Sequence, residues 1–188
     1  FNDRRLSLKK WNGKIDKVIN SFLKKIDSTI SINLEDDNKL KEINNKFECS
    51  NLVFLQGGPG TGKTTMIIEF ILNCLADDEY LNIGLAAPTG KATSRLKESL
   101  NERKDILLKK NLEQIECQTL HKWIYNSQNK SIKLKFKLSE LDIFIIDEMS
   151  MVTIDMIEIT LGLLAKDCKI LLVGDKNQLT PVNNCSIW

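Results

Sequence analysis

No apolar run in these 188 residues approaches the roughly 18 to 20 needed to cross a bilayer, and the opening Phe1-Asn2-Asp3-Arg4-Arg5 lacks a secretory signal. The chain is therefore expected in the cytoplasm, with no membrane partner. An initiator Met is missing as well, so a fragment or processed product is expected. Charge of one sign is equally scarce: 27 Lys and Arg face 25 Asp and Glu, a formal net of +2. Bulk charge does not announce a nucleic-acid protein, and any basic surface has to be local. The asymmetry along the chain is mild, with 11 basic against 8 acidic residues through position 48 and 16 against 17 after it. Five cysteines, at 49, 74, 117, 168 and 185, are odd in number and share no close metal-ligand spacing. They read as reduced, mostly buried thiols of a cytosolic protein. Histidine occurs once, as His121.

Against these absences stands one dense motif. Gly57-Gly58-Pro59-Gly60-Thr61-Gly62-Lys63-Thr64 lies between the apolar run Leu52-Val53-Phe54-Leu55 and a second one, Met66-Ile67-Ile68-Glu69-Phe70-Ile71-Leu72, long enough for a helix. A glycine-rich turn between strand and helix lets successive backbone N–H groups converge on one anion, because glycine accepts the positive φ that such a nest needs. The helix N-terminus adds partial positive charge. Lys63 supplies a full charge to the β- and γ-phosphates, and Thr64 offers its hydroxyl to the accompanying magnesium ion. A turn with no ligand would require the glycine spacing, the Lys-Thr ending and the flanking elements all to coincide by accident. The sequence therefore predicts nucleoside triphosphate binding.

Residues 8–26 place Trp11, Ile15, Val18, Ile19, Phe22 and Ile26 at helical spacing among six lysines. A solvated helix face is the commoner explanation of those lysines, and a DNA contact the rarer one. A polar stretch at 27–33 then leads to a short helix on which Leu40, Ile43 and Phe47 recur. Residues 1–48 are thus expected to form a small helical appendage to a main domain over 49–188. From Asn51 onward strands and helices alternate: a buried strand Ile83-Gly84-Leu85-Ala86-Ala87, a helix from Gly90 with Ala92, Leu96 and Leu100 on one face, and a strand near Ile115-Glu116-Cys117. The wholly apolar Ile143-Phe144-Ile145-Ile146 follows, then a helix over 153–165 and the strand Ile170-Leu171-Leu172-Val173. Continuous apolar strands separated by helices predict an α/β fold with a parallel sheet covered on both faces. In such a sheet, ligands gather at the carboxyl ends of the strands. Residues 131–138 alternate polar and apolar, as expected of an exposed hairpin or edge strand guarded by lysines.

Asp147 and Glu148 emerge side by side after four apolar residues. Adjacent acids repel unless a cation or separate tasks divide them; here the first can hold magnesium while the second polarises the attacking water. The next strand ends in Gly174-Asp175-Lys176-Asn177-Gln178-Leu179. Gln178 has an amide able to donate and accept beside a γ-phosphate.

Together with Thr65, Ala87-Pro88-Thr89-Gly90-Lys91-Ala92, Thr119-Leu120-His121 and Asp147-Glu148-Met149-Ser150-Met151, these motifs resemble helicase superfamily one, and within it the RecD family, the alpha chain of exodeoxyribonuclease V. The resemblance covers about residues 50–188 and implies a RecA-like P-loop NTPase domain that uses ATP and Mg2+. It implies a motor moving 5′ to 3′ along single-stranded DNA, with RecB-like and RecC-like partners, in double-strand break repair and recombination. Carried over by position, residues 57–65 bind ATP, Lys63, Glu148 and Gln178 are catalytic, and Thr64 and Asp147 hold the metal. Pro88, Thr89, Gly90, Lys91, Thr119 and His121 lie against DNA. The lone His121 equally fits a helix-end filler.

Two departures stand out. Where relatives of this superfamily place an adenine-reading glutamine, 37–40 offers only Asn38. The chain also stops at Ser186-Ile187-Trp188, before a second motor domain whose arginine is worth on the order of 10³ to 10⁵ in rate, so slow hydrolysis without unwinding is expected of this piece. Alternatives are a stand-alone RecD-like helicase and a nucleotide-gated interaction module. No nuclease site is visible in the sequence.

Overall fold

A computed structural model describes residues 20, 30–33, 39–103, 113–129 and 135–175. Their core is a six-stranded parallel sheet in the order β1-β2-β6-β5-β3-β4. The strands are β1 (Ile30–Asn33), β2 (Leu52–Gln56), β3 (Ile83–Ala87), β4 (Ile115–Thr119), β5 (Ile143–Ile146) and β6 (Lys169–Gly174). The helices are α1 (Lys39–Cys49), α2 (Lys63–Asp77), α3 (Gly90–Glu102), α4 (Leu120–Gln128) and α5 (Ile154–Leu163). Every element expected after residue 50 is present within a few residues of its sequence-read bounds, the alternating 131–138 segment excepted.

The apolar strands divide their side chains between two layers because successive residues point to opposite faces. Val53, Leu55, Ile83, Leu85, Ile143, Ile145, Leu171 and Val173 pack under α1, α2 and α3. Ala86, Phe144, Ile146, Ile170 and Leu172 pack under α4 and α5. On α2 the buried residues are Ile67, Ile68, Phe70, Ile71 and Leu75, a stripe at three- and four-residue steps. Both faces are covered, so four consecutive apolar residues in β5 are all buried.

Gly84 shows how closely the second layer fits. A Cβ at that position would stand 2.5 Å from Leu141 Cδ1 and 2.8 Å from Phe144 Cδ2. Both neighbours are themselves buried and have nowhere to move. Gly84→Ala is expected to lower stability by about 1–3 kcal/mol, the usual cost of overpacking. Thermal melting beside the wild type checks this, and an unchanged midpoint would show that the layer is looser.

Three features depart from the sequence reading. The stretch 27–33, taken as a polar connector, contains β1, whose residues pair in parallel with β2 in the register Ile30↔Val53 to Asn33↔Gln56. Likewise α1 is part of the main layer: Ile43 and Phe47 are buried in it, and the Phe47 ring stacks on Phe70 at 5.5 Å. The sheet domain thus reaches back at least to Ile30 instead of starting near residue 49. Finally, residues 135–138 are not strand; Leu138–Glu140 is a 3-10 turn, with Leu138 buried, and β4 forms the edge. The expected helix at 8–26 lies outside the described residues apart from Asn20.

Candidate nucleotide site and the adjoining strand ends

Parallel strands bring all their carboxyl ends to one edge. Along it stand Gln56, Gly174, Ile146, Ala87 and Thr119, in the order of β2, β6, β5, β3 and β4. The glycine-rich loop leaves β2, is tied to β6 by the Gly57 N–H donating to the Gly174 carbonyl at 3.1 Å, and enters α2. Gly60 and Gly62 hold φ of 76° and 82°. An L side chain at either would pay roughly 1–2 kcal/mol for the left-handed backbone. Within the loop the Thr61 hydroxyl donates to the Gly58 carbonyl at 2.8 Å, closing the turn.

The helix starts along this edge differ in one respect that matters. Thr89, Thr119 and Thr153 each cap a helix, their hydroxyl oxygens accepting from the N–H of Ala92, Lys122 and Met156. At α2 the capping position is Gly62, which makes no side-chain cap. Its first N–H groups therefore remain available to an anion, with the helix dipole behind them.

Lys63, the first residue of α2, folds its amine back over the loop and donates to the carbonyls of Gly57 and Gly58, each at 2.7 Å. Thr64 is half-buried in the first turn beside it, whereas Pro59, Gly60, Thr61, Gly62 and Thr65 are exposed. Asp147 leaves β5 two strands away, with β6 between. At about 4.8 Å per strand the separation is roughly 10 Å, and the intervening strand ends in Gly174, which carries no side chain.

Asp147 is 8% exposed and its backbone N–H is held by the Ala86 carbonyl at 2.9 Å. Burial raises its pKa; the Glu148 N–H bonded to its Oδ1 at 2.8 Å and the Lys63 charge lower it, while the Glu148 carboxylate raises it. The folded state thus holds this proton more tightly than the unfolded chain. Stability falls as pH rises through that titration, because ionisation then charges a buried group. Such a carboxylate fits a cation that would offset its desolvation. Asp147→Asn is accordingly expected to melt above the wild type in metal-free buffer at neutral pH while losing magnesium-dependent hydrolysis. Melting in EDTA checks it, and a lower midpoint would contradict the electrostatic account.

Glu148 is half-buried and is the one non-glycine residue with positive φ among those described, at 53°. Nothing in its sequence signals this conformation. The cost is on the order of 1–3 kcal/mol and is tolerated where surrounding structure over-determines it, commonly at functional sites. Here Met149 and Ser150 are buried on one side and Asp147 binds the Glu148 N–H on the other. The pair is fixed with its two carboxylates in different settings, one buried and one half-open. Asp175, 4% exposed at the end of β6, is a further buried acid on this rim, and nothing in its polar loop singles it out by residue type or spacing. Gln178 and Asn38 lie outside the described residues.

The motifs resembling DNA contacts stand on the far side of Asp147. Ala87 pairs in register with Thr119, so the segments Pro88-Thr89-Gly90-Lys91 and Thr119-Leu120-His121 leave neighbouring strands together. Thr89 and Thr119 spend acceptor lone pairs on capping, which leaves each hydroxyl proton to donate outward. His121 is exposed; the ring that fills this corner is Trp123, fully buried, whose indole N–H donates to the Leu85 carbonyl at 2.8 Å. At the opposite, amino-terminal edge of the sheet, a cavity of about 780 Å³ is lined by Phe47, Phe70, Leu141 and Lys169 and contains none of these residues.

Comparison with known proteins supplies the context. Residues 41–184 match a family described as AAA domain. The chain is 42% identical over 147 residues to the RecBCD enzyme subunit RecD of Buchnera aphidicola subsp. Schizaphis graminum, covering 73% of this chain and 24% of that protein. It is 33% identical over 132 residues to the ATP-dependent RecD2 DNA helicase of Deinococcus radiodurans, covering 70% and 16% respectively. A solved structure of two Pif1 helicases coordinating at forked double-stranded DNA overlaps 77% of this chain and 34% of its own, at 25% identity and a TM-score of 0.49. The chain spans about a quarter of the length of the RecD relatives, with 24% covered in each of the first two.

Proposed function

We propose, for a chain that belongs to the AAA domain family, that it is the ATP-binding half of a motor driving a DNA helicase of RecD type. The observation that carries this reading is the start of α2, left without a side-chain cap behind a glycine-rich loop over which Lys63 folds its amine, on the same sheet edge as the buried Asp147. A cation on a phosphate loop and a buried acid facing it are the two poles between which a magnesium triphosphate would fit. Bound magnesium would supply positive charge to the β- and γ-oxygens, held by Thr64 and Asp147. Lys63 exchanges its loop carbonyls for phosphate oxygens, and the free N–H groups at the start of α2 take up further charge. Glu148, fixed beside the metal acid and partly open, accepts the proton of the attacking water.

The DNA part of the proposal places Pro88, Thr89, Gly90, Lys91, Thr119 and His121 against the backbone of single-stranded DNA moved 5′ to 3′. Their support is the shared edge: β3, which leads into the first of these motifs, lies directly beside β5, which leads into Asp147, and β4, which leads into the second, is the next strand out. Contacts of this kind position a strand and carry little sequence information. Gln178 is proposed as the γ-phosphate sensor. RecB-like and RecC-like subunits, a role in double-strand break repair and a cytoplasmic setting are proposed with it, supported by the similarity to RecBCD subunits. The similarity to a RecD2 helicase supports a second reading, a helicase acting alone.

ATP turnover by the full-length protein, measured with and without single-stranded DNA, tests the motor reading. Stimulation of about tenfold or more, equivalent to about 1.4 kcal/mol of barrier, is expected. A rate indifferent to DNA would leave an ATP-binding module without a DNA track. Affinity capture of the full-length protein separates the two motor readings: co-purification of RecB-like and RecC-like subunits supports the complex, and a single purified component with unwinding activity supports the lone helicase.

A further inference from the structure

We infer that residues 8–26 of this chain dock as an amphipathic helix in the cavity at the amino-terminal edge of the sheet, with their apolar stripe on its floor and their lysines against its rim. The inference goes beyond the nucleotide and DNA readings and depends on neither. The cavity, about 780 Å³, lies between the carboxyl ends of α1 and α2 and the segments that lead into β5 and β6. Phe47, Phe70, Leu141 and Ile143 form its buried floor, with the half-buried Leu81 beside them. Six of the residues lining it are acidic, all six exposed, and Lys169 is the one cation among them.

The rim is acidic where helix electrostatics disfavours acids. α2 ends in Asp77, followed by Asp78, with no basic residue in its last turn, and α1 carries Glu48 one residue from its end. The carboxyl end of a helix already bears partial negative charge, so acids there are unfavourable until a cation comes close. The floor accepts such a neighbour. Lys169 rests its amine 5.9 Å from the centre of the Phe47 ring, a cation set against an apolar face.

Connectivity and charge select the occupant. β1 runs parallel to β2 with Ile30 opposite Val53, so the chain reaches Ile30 on this same amino-terminal edge. β2 separates β1 from β6, whose first residue is Lys169 of the cavity. Two strand spacings amount to about 10 Å, and residues 27–29 can extend over about the same distance. The segment before them, residues 8–26, holds six lysines and one acid, Asp16, around an apolar stripe that includes Ile19 and Phe22. As a helix it would measure about 28 Å, enough to lie across the edge from β1 to β5. An excess of five negative charges around the cavity thus meets an excess of five positive charges on the segment that enters beside it.

The experiment uses the full-length protein with a photo-reactive benzophenone amino acid in place of Phe22, irradiated at low concentration, and mass spectrometry to locate the cross-link. The expected partners are residues 74–81, 139–143 or 165–169 of the same chain. Cross-links to any other part of the chain, to a second copy or to another protein would overturn the docking. Hydrogen exchange tests the charge match. Reversing three exposed rim acids together, as Glu48→Lys, Asp77→Lys and Asp167→Lys, should speed amide exchange in residues 8–26 by at least about tenfold, while exchange in β2 stays as in the wild type. The first two changes place cations at helix carboxyl ends, which favours the fold. Equal exchange of residues 8–26 in variant and wild type would overturn the inference. ATP turnover of the variant is expected to match the wild type, because the cavity and the phosphate loop lie at opposite edges of the sheet, so docking can fail without the motor reading failing.

Discussion

Lys63→Ala is expected to reduce ATP turnover by the full-length protein at least about 10²- to 10³-fold, the loss typical of removing one preorganised group aimed at developing charge. In the wild type, the amine is the one full positive charge on the loop of residues 57–64, and it already makes two short bonds to loop carbonyls. Truncation removes the charge on the phosphates and unties the loop from its helix at once. The fold should survive, because the anchors of α2 are Ile67, Ile68, Phe70, Ile71 and Leu75. Weakened binding of a fluorescent nucleotide, beside an unchanged melting curve, would locate the defect in the site. A variant with wild-type turnover would remove Lys63 from its assigned role.

Glu148→Gln is expected to act on a different step. The amide keeps the size and shape of the carboxylate but cannot take a proton from water, so turnover should fall by about 10²- to 10⁴-fold while ATP binding persists. The contrast with Lys63→Ala comes from the proposed roles: Lys63 would meet the phosphates in the ground state, whereas Glu148 would serve only the reacting water. Trapping of ATP by Glu148→Gln, read in a rapid-filtration assay, is the signature. Loss of ATP affinity matching that of Lys63→Ala would mean that Glu148 holds the nucleotide instead of activating water. Glu148 also has a left-handed backbone, a strained conformation of the kind that clusters at functional sites.

Much of this was legible in the chain because buried parallel strands are written as unbroken apolar runs and end in polar residues that face one edge. Ile83–Ala87 and Ile143–Ile146 needed no further information. The phosphate loop was equally open to reading, since glycines, Lys63 and Thr64 stand at spacings that the anion dictates. β1 was not, because Ile30-Ser31-Ile32-Asn33 carries only two apolar residues in a polar stretch and becomes strand by pairing with β2, a partner more than twenty positions away. α1 looked detachable for a related reason: Phe47 gains its meaning from Phe70, which sequence spacing does not connect. The alternating stretch misled in the other direction. Its last residue, Leu138, is buried with its N–H donating to the Ser127 hydroxyl, so a turn is anchored there where periodicity suggested a strand. The backbone of Glu148 has no sequence signature, as it is set by what packs around it.

The central claim is that the bend at residues 57–64 receives a triphosphate tail with Asp147 and Glu148 facing it across the end of β6. A crystal structure with magnesium and a non-hydrolysable ATP analogue tests it most directly. The expected result is phosphate density cradled by the backbone of that bend, Lys63 turned from its carbonyls onto the outer phosphates, and a metal ion between Thr64 and Asp147. Nucleotide bound elsewhere on the protein, or carboxylates directed away from the phosphates, would contradict it.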